Sequence, residues 1–381
     1  MDGRSIRVAE PVLDGNEREY VLDCLDSTWI SSRGKYIERF EAMVSEFCGV
    51  PHAVATNNGT TAIHLALAAL GVGPGDEVIV PTLTYIASVN AIQYCGATPV
   101  FVDSESPSMT LDCDDLVAKI TPRTRGIVSV PLFGHPVNWD GLERISREHD
   151  LFVVEDAAEA LGASYRSRRI GSWGTCATFS FFGNKIITTG EGGMVVTDDG
   201  DLAARLRLLR GQAVSPERCY WHNEVGYNYR MTNVAAAIGC AQMERIDAHL
   251  ERRQQVASWY NELLHDRQDL FQLPTVDPSA HHCFWMYSIV MRDREIVRDN
   301  VIRSLAQRGI ETRPIFYPVH WMPPYQESVG SYPVAEQLSS SGISLPTHGK
   351  LTRDDVAYVA NQLTATIIEQ QQATTPVRRA A

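Results

Sequence analysis

Between residues 77 and 197, short apolar runs alternate with segments whose apolar residues recur every three or four positions. The runs fall at 77–80, 99–102, 126–130, 151–155, 175–180 and 193–197. Most are β-branched and bounded by Gly, Pro or Asp, as strands covered on both faces should be. Two stretches between them, 112–119 and 139–149, are amphipathic at helical period. This alternation predicts a mainly parallel α/β sheet with helices on both sides. Ligands of such sheets sit at the carboxyl ends of the strands.

The flanks read as helices at 16–26, 35–48 and 60–70, the last almost continuously apolar and so expected to be buried. Further helices are predicted at 201–210 and 232–242, followed by a long polar-faced one at 245–267. A strand at 284–291, a helix at 295–308, a strand at 311–315 and a helix at 353–371 complete the pattern. The division expected is a large unit over 1–245, a smaller α+β unit over 246–371 joined by the long helix, and a disordered tail over 372–381.

Composition narrows the function. The chain has 381 residues, 44% of them apolar, and a formal net charge of −12. Its acidity argues against nucleic acid or anionic membrane as the main partner, since both need clustered Lys and Arg. No stretch approaches eighteen consecutive apolar residues, so no membrane span is expected. The start, Met1-Asp2-Gly3-Arg4-Ser5, lacks the apolar core of a signal peptide. The eight cysteines are scattered without a C-x-x-C pair, and no H-x-x-x-H spacing occurs. Reduced thiols, no metal site and a cytoplasmic setting are the expectation. Gly71, Gly73 and Gly75 lack dinucleotide-binding spacing and follow a helix, so they read as a turn.

Three segments carry chemistry. The run at 151–155 ends in Glu155 and Asp156, which puts a carboxylate at the ligand-facing edge of the sheet. Taken alone, such an Asp is more often a turn or cap residue. Lys185 lies among Phe181, Phe182, Ile186 and Ile187, ahead of a Gly-rich turn. A lysine in apolar surroundings has a depressed pKa and can attack a carbonyl as the free amine. Asn57-Asn58-Gly59-Thr60-Thr61 opens a buried helix, where outward amides and the helix dipole favour an anion. An ordinary N-cap would look the same. Phosphate seat, carboxylate and reactive lysine together suit pyridoxal phosphate, whose ring nitrogen and aldehyde need the last two.

The segments NNGTTAIHLAL, VIVPTLTYIASVNAI, VVEDAAEALGA, FSFFGNKIITTGEGGM, VGYNYRMTNVAAAIG and RPIFYPVHWMPPY occur in this order. With them the chain resembles the DegT, DnrJ, EryC1 and StrS sugar aminotransferases over about residues 5–370. The resemblance implies the aspartate-aminotransferase fold (PLP fold type I), a large mainly parallel sheet domain and a smaller α+β domain. It also implies a pyridoxal 5′-phosphate cofactor, L-glutamate as amino donor, a keto-sugar nucleotide as acceptor, and a homodimer with shared sites. FFGNK, TTGEGGM and GYNYRMTN look most similar to the branch that aminates C4 of GDP-4-keto-6-deoxymannose, giving perosamine. A ketone at C3 of the sugar, or a keto-cyclitol, would use the same apparatus. A non-catalytic regulatory protein on this scaffold should have lost Lys185 or Asp156, and a dehydratase of the family should carry His in place of the lysine.

By matched position, Lys185 is the Schiff-base lysine and proton carrier, and Asp156 pairs with the pyridine nitrogen. Glu159 stands where many relatives have His or Gln and is expected on the 3-hydroxyl side of the cofactor. Tyr85 is expected to stack on the ring, and Gly59, Thr60 and Ser180 to bind the phosphate. Asn228 belongs to a loop that in relatives reaches the partner subunit's phosphate. Arg230 is a candidate for the donor carboxylate or a sugar-nucleotide phosphate, with a structural ion pair as the alternative. Tyr317 and His320 lie in a loop that in relatives lines the sugar site, although a histidine among prolines and aromatics is often only packing.

Overall fold

The computed structural model describes residues 4–378 apart from 107 and 327–330, with side chains described as far as 372. Helix α1 (Glu17–Asp26) is followed by α2 (Lys35–Cys48), which turns in Tyr36, Phe40, Val44 and Cys48 at i, i+4 spacing. A short strand, β1 (His52–Thr56), then leads into α3 (Gly59–Ala69). Asn58 caps α3, its side chain accepting from the Thr61 N–H at 2.9 Å. The sheet continues through β2 (Glu77–Pro81), α4 (Ala87–Tyr94), β3 (Thr98–Val102), α5 (Cys113–Ala118), β4 (Thr124–Ser129), α6 (Trp139–His149) and β5 (Phe152–Asp156). After a small hairpin, β6 (Ser164–Tyr165) and β7 (Arg168–Arg169), come β8 (Cys176–Ser180) and β9 (Gly193–Thr197). Helices α7 (Gly200–Arg210), α8 (Asn233–Met243) and the long α9 (Ile246–Leu264) follow.

Among the described residues these strands form a seven-stranded sheet in the order β1-β9-β8-β5-β4-β2-β3. From β8 to β3 every pairing is parallel, while β9 runs antiparallel to both β8 and β1. The sheet is therefore mainly parallel, as the apolar runs imply. The order reverses between β2 and β4, and the carboxyl ends of β1, β2, β4, β5 and β8 share one edge. Such a switch point leaves a crevice for a ligand. Gly239 lets α8 lie tightly on α2, because a Cβ there would stand 2.7 Å from the Phe40 ring. Within the seven-stranded sheet and the helices that cover it, β1 and α4 escape the sequence reading. Strand β1 (HAVAT) has little large apolar content, and α4 (ASVNAIQY) is poor in strong helix formers. Burial of Ser88, Val89, Ala91 and Ile92 holds α4 in place of propensity.

The C-terminal part contains β10 (Phe271–Gln272), β11 (Ala280–His281), β12 (Tyr287–Met291), α10 (Arg298–Gln307), β13 (Arg313–Pro314), α11 (Pro333–Ser341), β14 (Gly342–Leu345) and α12 (Arg353–Arg378). A second sheet has the order β10-β12-β14-β13, and β11 joins the β6–β7 hairpin. Helix α12 carries the backbone past 372, where the sequence reading ends the ordered chain; 379–381 lie outside the described residues. The core is split in two. One cluster fills the large sheet, and the other unites Val256, Tyr260, Phe271, Tyr287, Val301, Ile343 and Leu363. Ile6 belongs to this second cluster and bridges Ile310, so the first few residues pack with the C-terminal part although the sequence groups them with the large unit.

Alternation along β5 sends Glu155 and Asp156 to opposite faces of the sheet. Glu155 is fully buried and accepts the Gly171 N–H at 2.9 Å. Burial pushes its carboxyl up to about 8, opposed by the Gly171 N–H and the Trp139 indole. The folded value thus lies above the unfolded one. Glu155 favours the fold fully at pH below about 4.5, and that contribution is lost as pH rises through about 8. Glu155→Gln should therefore raise Tm by several degrees at pH 8 and by much less at pH 5. Thermal melts at both pH values check this, and a difference that does not change with pH would contradict it.

Candidate active site

The sheet edge assembles the site. Asp156 is the last residue of β5 and Ser180 the last of β8, and Gly59 opens α3 just beyond β1. Lys185 follows β8 in a turn closed by its own N–H, which donates to the Phe182 carbonyl at 2.9 Å. Its Nζ stands 3.6 Å from Oε1 of Glu159 and 4.0 Å from the centre of the Trp285 ring. The indole is fixed to the same turn, its N–H donating to the Asn184 carbonyl at 2.8 Å. The Arg253 guanidinium, buried in α9, donates to the carbonyls of Trp285 (2.9 Å), Thr347 (2.8 Å) and Lys185 (3.4 Å).

Glu159 is held from its other oxygen, Oε2, by the Phe133 N–H at 2.9 Å. Phe133 lies beyond β4 with φ of 55°, a left-handed conformation that costs a non-glycine residue free energy. Its ring stacks between Trp285 (centroids 6.4 Å apart) and Phe316 (5.6 Å). Phe316 in turn touches the exposed Tyr85 ring at 5.8 Å. An aromatic row thus runs from Tyr85 to the lysine. Asp156 accepts from the Ser88 hydroxyl at 2.5 Å and from the Ala158 N–H at 3.3 Å.

Burial dominates the electrostatics. It pushes the Lys185 amine down, with Glu159 and Asp156 pulling it back up. It pushes Glu159 up to about 7, opposed by Lys185 and by the Phe133 N–H. Burial raises Asp156 as well, and Ser88, Ala158 and Lys185 offset it. A lysine, an indole face and two buried carboxylates within one pocket make an amine that can both attack and carry a proton.

The residues present fit pyridoxal phosphate. A Cβ on Gly59 would stand 2.7 Å from Cβ of Ser180, so the start of α3 and the end of β8 meet with room only for glycine. The Gly59 and Thr60 N–H groups precede the first helical bond of α3, from the Ala62 N–H to the Asn58 carbonyl, and so are free to meet an anion beside the Ser180 hydroxyl. A buried carboxylate for the ring nitrogen and an amine for the aldehyde lie on the same sheet edge.

The structure brings Gly59, Thr60 and Ser180 together, and Asp156, Glu159 and Lys185 together, with Tyr85 at the rim. Asn228, Arg230, Tyr317 and His320 stand outside these two groups of contacts. Tyr227 and Tyr229 stack on each other at 4.9 Å and close on His64, Tyr229 bonding its Nδ1 at 2.9 Å. Alternation leaves Asn228 and Arg230 exposed. Asn228 bridges Gly211, and Arg230 bridges Thr56 at the sheet edge. Neither is joined to Lys185, Asp156 or Glu159 by a hydrogen bond or ion pair among the described residues. No ion pair is formed by Arg230 among those residues either. The Tyr317 hydroxyl accepts from Arg298 at 2.9 Å. His320 is buried with both ring nitrogens engaged, Nδ1 by the Thr82 hydroxyl at 2.7 Å and Nε2 by Glu336 at 3.2 Å.

Ser88, Phe133 and Trp285 escaped the sequence reading as site residues. Phe133 had one usable signal, since it stands just past the carboxyl end of the predicted 126–130 strand. Ser88 and Trp285 had none, because each acts through a contact across the chain.

All eight cysteines are free, no group of His, Cys, Asp and Glu among the described residues could hold a metal ion, and no described helix is long and apolar enough to cross a membrane. Comparison with known proteins places the chain in a family. The chain is 53% identical over 365 residues to GDP-perosamine synthase of Caulobacter vibrioides, covering 95% of this chain and 98% of that protein. It is 48% identical to GDP-perosamine synthase of Escherichia coli O157:H7, covering 94% and 97%. Among solved structures, DesV of S. venezuelae in complex with a ketimine intermediate superposes with a TM-score of 0.87 at 37% identity, covering 92% and 94%. The sequence profile of the DegT/DnrJ/EryC1/StrS aminotransferase family matches residues 11–364. The chain belongs to that family, and it is a sugar aminotransferase with the PLP type I fold.

Proposed function

We propose that this enzyme uses pyridoxal 5′-phosphate to move an amino group from L-glutamate to C4 of GDP-4-keto-6-deoxymannose. The observation that carries the acceptor is near-complete alignment with proteins named GDP-perosamine synthase, at 43–53% identity from three organisms. When bound, the cofactor supplies a protonated ring that withdraws electrons from the carbon exchanging its amine. The chain's residues do the rest. Lys185 would hold the aldehyde and, when detached, its amine would pass the proton of the donor carbon to the aldehyde-derived carbon in the first half and from there to the sugar carbon in the second. Asp156, oriented by Ser88, keeps the ring nitrogen protonated. Gly59, Thr60 and Ser180 hold the phosphate, Tyr85 covers one ring face, and Glu159 meets the 3-hydroxyl side.

Two copies share each site in this reading, Asn228 completing the partner's phosphate seat and Arg230 meeting a carboxylate or diphosphate. Exposed Tyr220, Trp221 and Val225 in the same loop support a covered surface there. Tyr317 lies at the sugar end, with His320 packing the loop behind it. Eight free thiols suit a reducing cytoplasm.

The test is incubation with glutamate and a panel of keto-sugar nucleotides, with products identified by mass and NMR. Amination at C4 of the guanosine-linked sugar is expected. Turnover of thymidine- or uridine-linked sugars, or of a C3 ketone, with none for the guanosine-linked one would overturn the acceptor.

A further inference from the structure

Lys185 has to leave the cofactor in the first half of the proposed cycle and can return to it only at the end of the second, so its amine needs a place to rest. We infer that the Trp285 indole face and the Glu159 carboxylate form a rest site for the Lys185 ammonium, holding the amine and its proton whenever it is detached from the cofactor. The inference rests on the proposed function, and it gives Trp285 the part of a positioning residue.

Two groups hold the amine. Nζ lies 4.0 Å from the indole centre and 3.6 Å from Oε1 of Glu159. The indole cannot swing away easily. Its N–H donates to the carbonyl of Asn184, the residue before the lysine, the Trp285 backbone carbonyl accepts from Arg253, and the ring is stacked on Phe133. Glu159 is anchored by the N–H of that same Phe133 through Oε2, which leaves Oε1 facing the amine. Lysine, indole, phenyl and carboxylate thus make one ring of contacts, in which each member fixes the next.

An indole face attracts a cation more strongly in a water-poor pocket than at a surface. Burial drives the proton off the amine, whereas Glu159 and Asp156 hold it on, and Arg313 on β13 opposes them. Arg253 on α9 bonds Lys185 at its backbone carbonyl and not at its amine. The indole adds to the side that favours the ammonium without introducing a second permanent charge. The amine is then neither fixed as a cation nor stripped bare, as a group that takes and returns a proton requires.

The experiment uses cofactor-free full-length enzyme, acetylated with trace acetic anhydride across a pH series, with the Lys185 peptide quantified by mass spectrometry. The pH profile reports the amine's protonation apart from its accessibility. Trp285→Leu should move the midpoint to lower pH, with about fivefold more free amine at a fixed pH below it. Trp285→Phe keeps an aromatic face and should fall between Leu and wild type. Glu159→Gln should move the midpoint in the same direction. A wild-type midpoint in folded Trp285→Leu would overturn the inference. If that variant does not fold, an unmoved midpoint in Glu159→Gln does so instead. Adding pyridoxal phosphate to wild type, read as a visible band lost on borohydride reduction, tests the cofactor reading separately, and its failure would leave the midpoint comparison intact.

Discussion

Lys185→Ala is expected to lower kcat by about 10⁴-fold or more, with the fold unchanged. That loss corresponds to roughly 5.5 kcal/mol of barrier. The proposed function gives this one amine two tasks, capture of the cofactor's aldehyde and transfer of the proton; among the described residues the other lysines are paired elsewhere, Lys35 with Asp23, Lys119 with Asp115 and Lys350 with Glu10. Removing it also frees Glu159, whose Oε1 then faces a cavity instead of an amine 3.6 Å away. Lys185→Arg should be nearly as inactive although it keeps a cation there, since guanidinium holds its proton at any working pH and makes a poor nucleophile. Steady-state kinetics with glutamate, checked against circular dichroism for folding, measures both variants. Activity within tenfold of wild type in either would remove Lys185 from the chemistry.

The second large effect is expected at Asp156. Asp156→Asn should cost about 10²- to 10³-fold in kcat, or roughly 3–4 kcal/mol. The substitution keeps size and burial but removes the charge that would hold a proton on the ring nitrogen. The Ser88 hydroxyl, 2.5 Å from Oδ2, orients the carboxylate and offsets part of its desolvation. Ser88→Ala should act in the same direction but more weakly, by about tenfold, and the double variant should fall short of the product of the two single losses. A set of kcat values in which Asp156→Asn loses less than Ser88→Ala would contradict this hierarchy.

The sequence shows where the edge of the sheet lies more readily than what surrounds it. Strand β9 matches the run read at 193–197, and α2 and α6 match the helices read at 35–48 and 139–149, because each couples a clear period to a definite stop. Strand β1 and helix α4 were hidden, as their small and polar residues owe their form to neighbours rather than to local preference. The same division holds in the site. Lys185 and Asp156 stand out by residue type at a strand end, and Gly59 by its place before a buried helix. Ser88 and Trp285 look ordinary in their own segments. They matter through contacts that span 68 residues in one case and 101 in the other, which no local pattern encodes. His320 is the converse, a residue that looks chemical in its motif yet is bound on both nitrogens by Thr82 and Glu336.

The most direct measurement of the central claim is borohydride reduction of the enzyme with pyridoxal phosphate, followed by peptide mapping. The pyridoxyl group is expected on the peptide carrying Lys185 and nowhere else, with glutamate given beforehand lowering the yield. A pyridoxyl group on any other lysine, or none at all on protein that has stayed folded, would contradict the account.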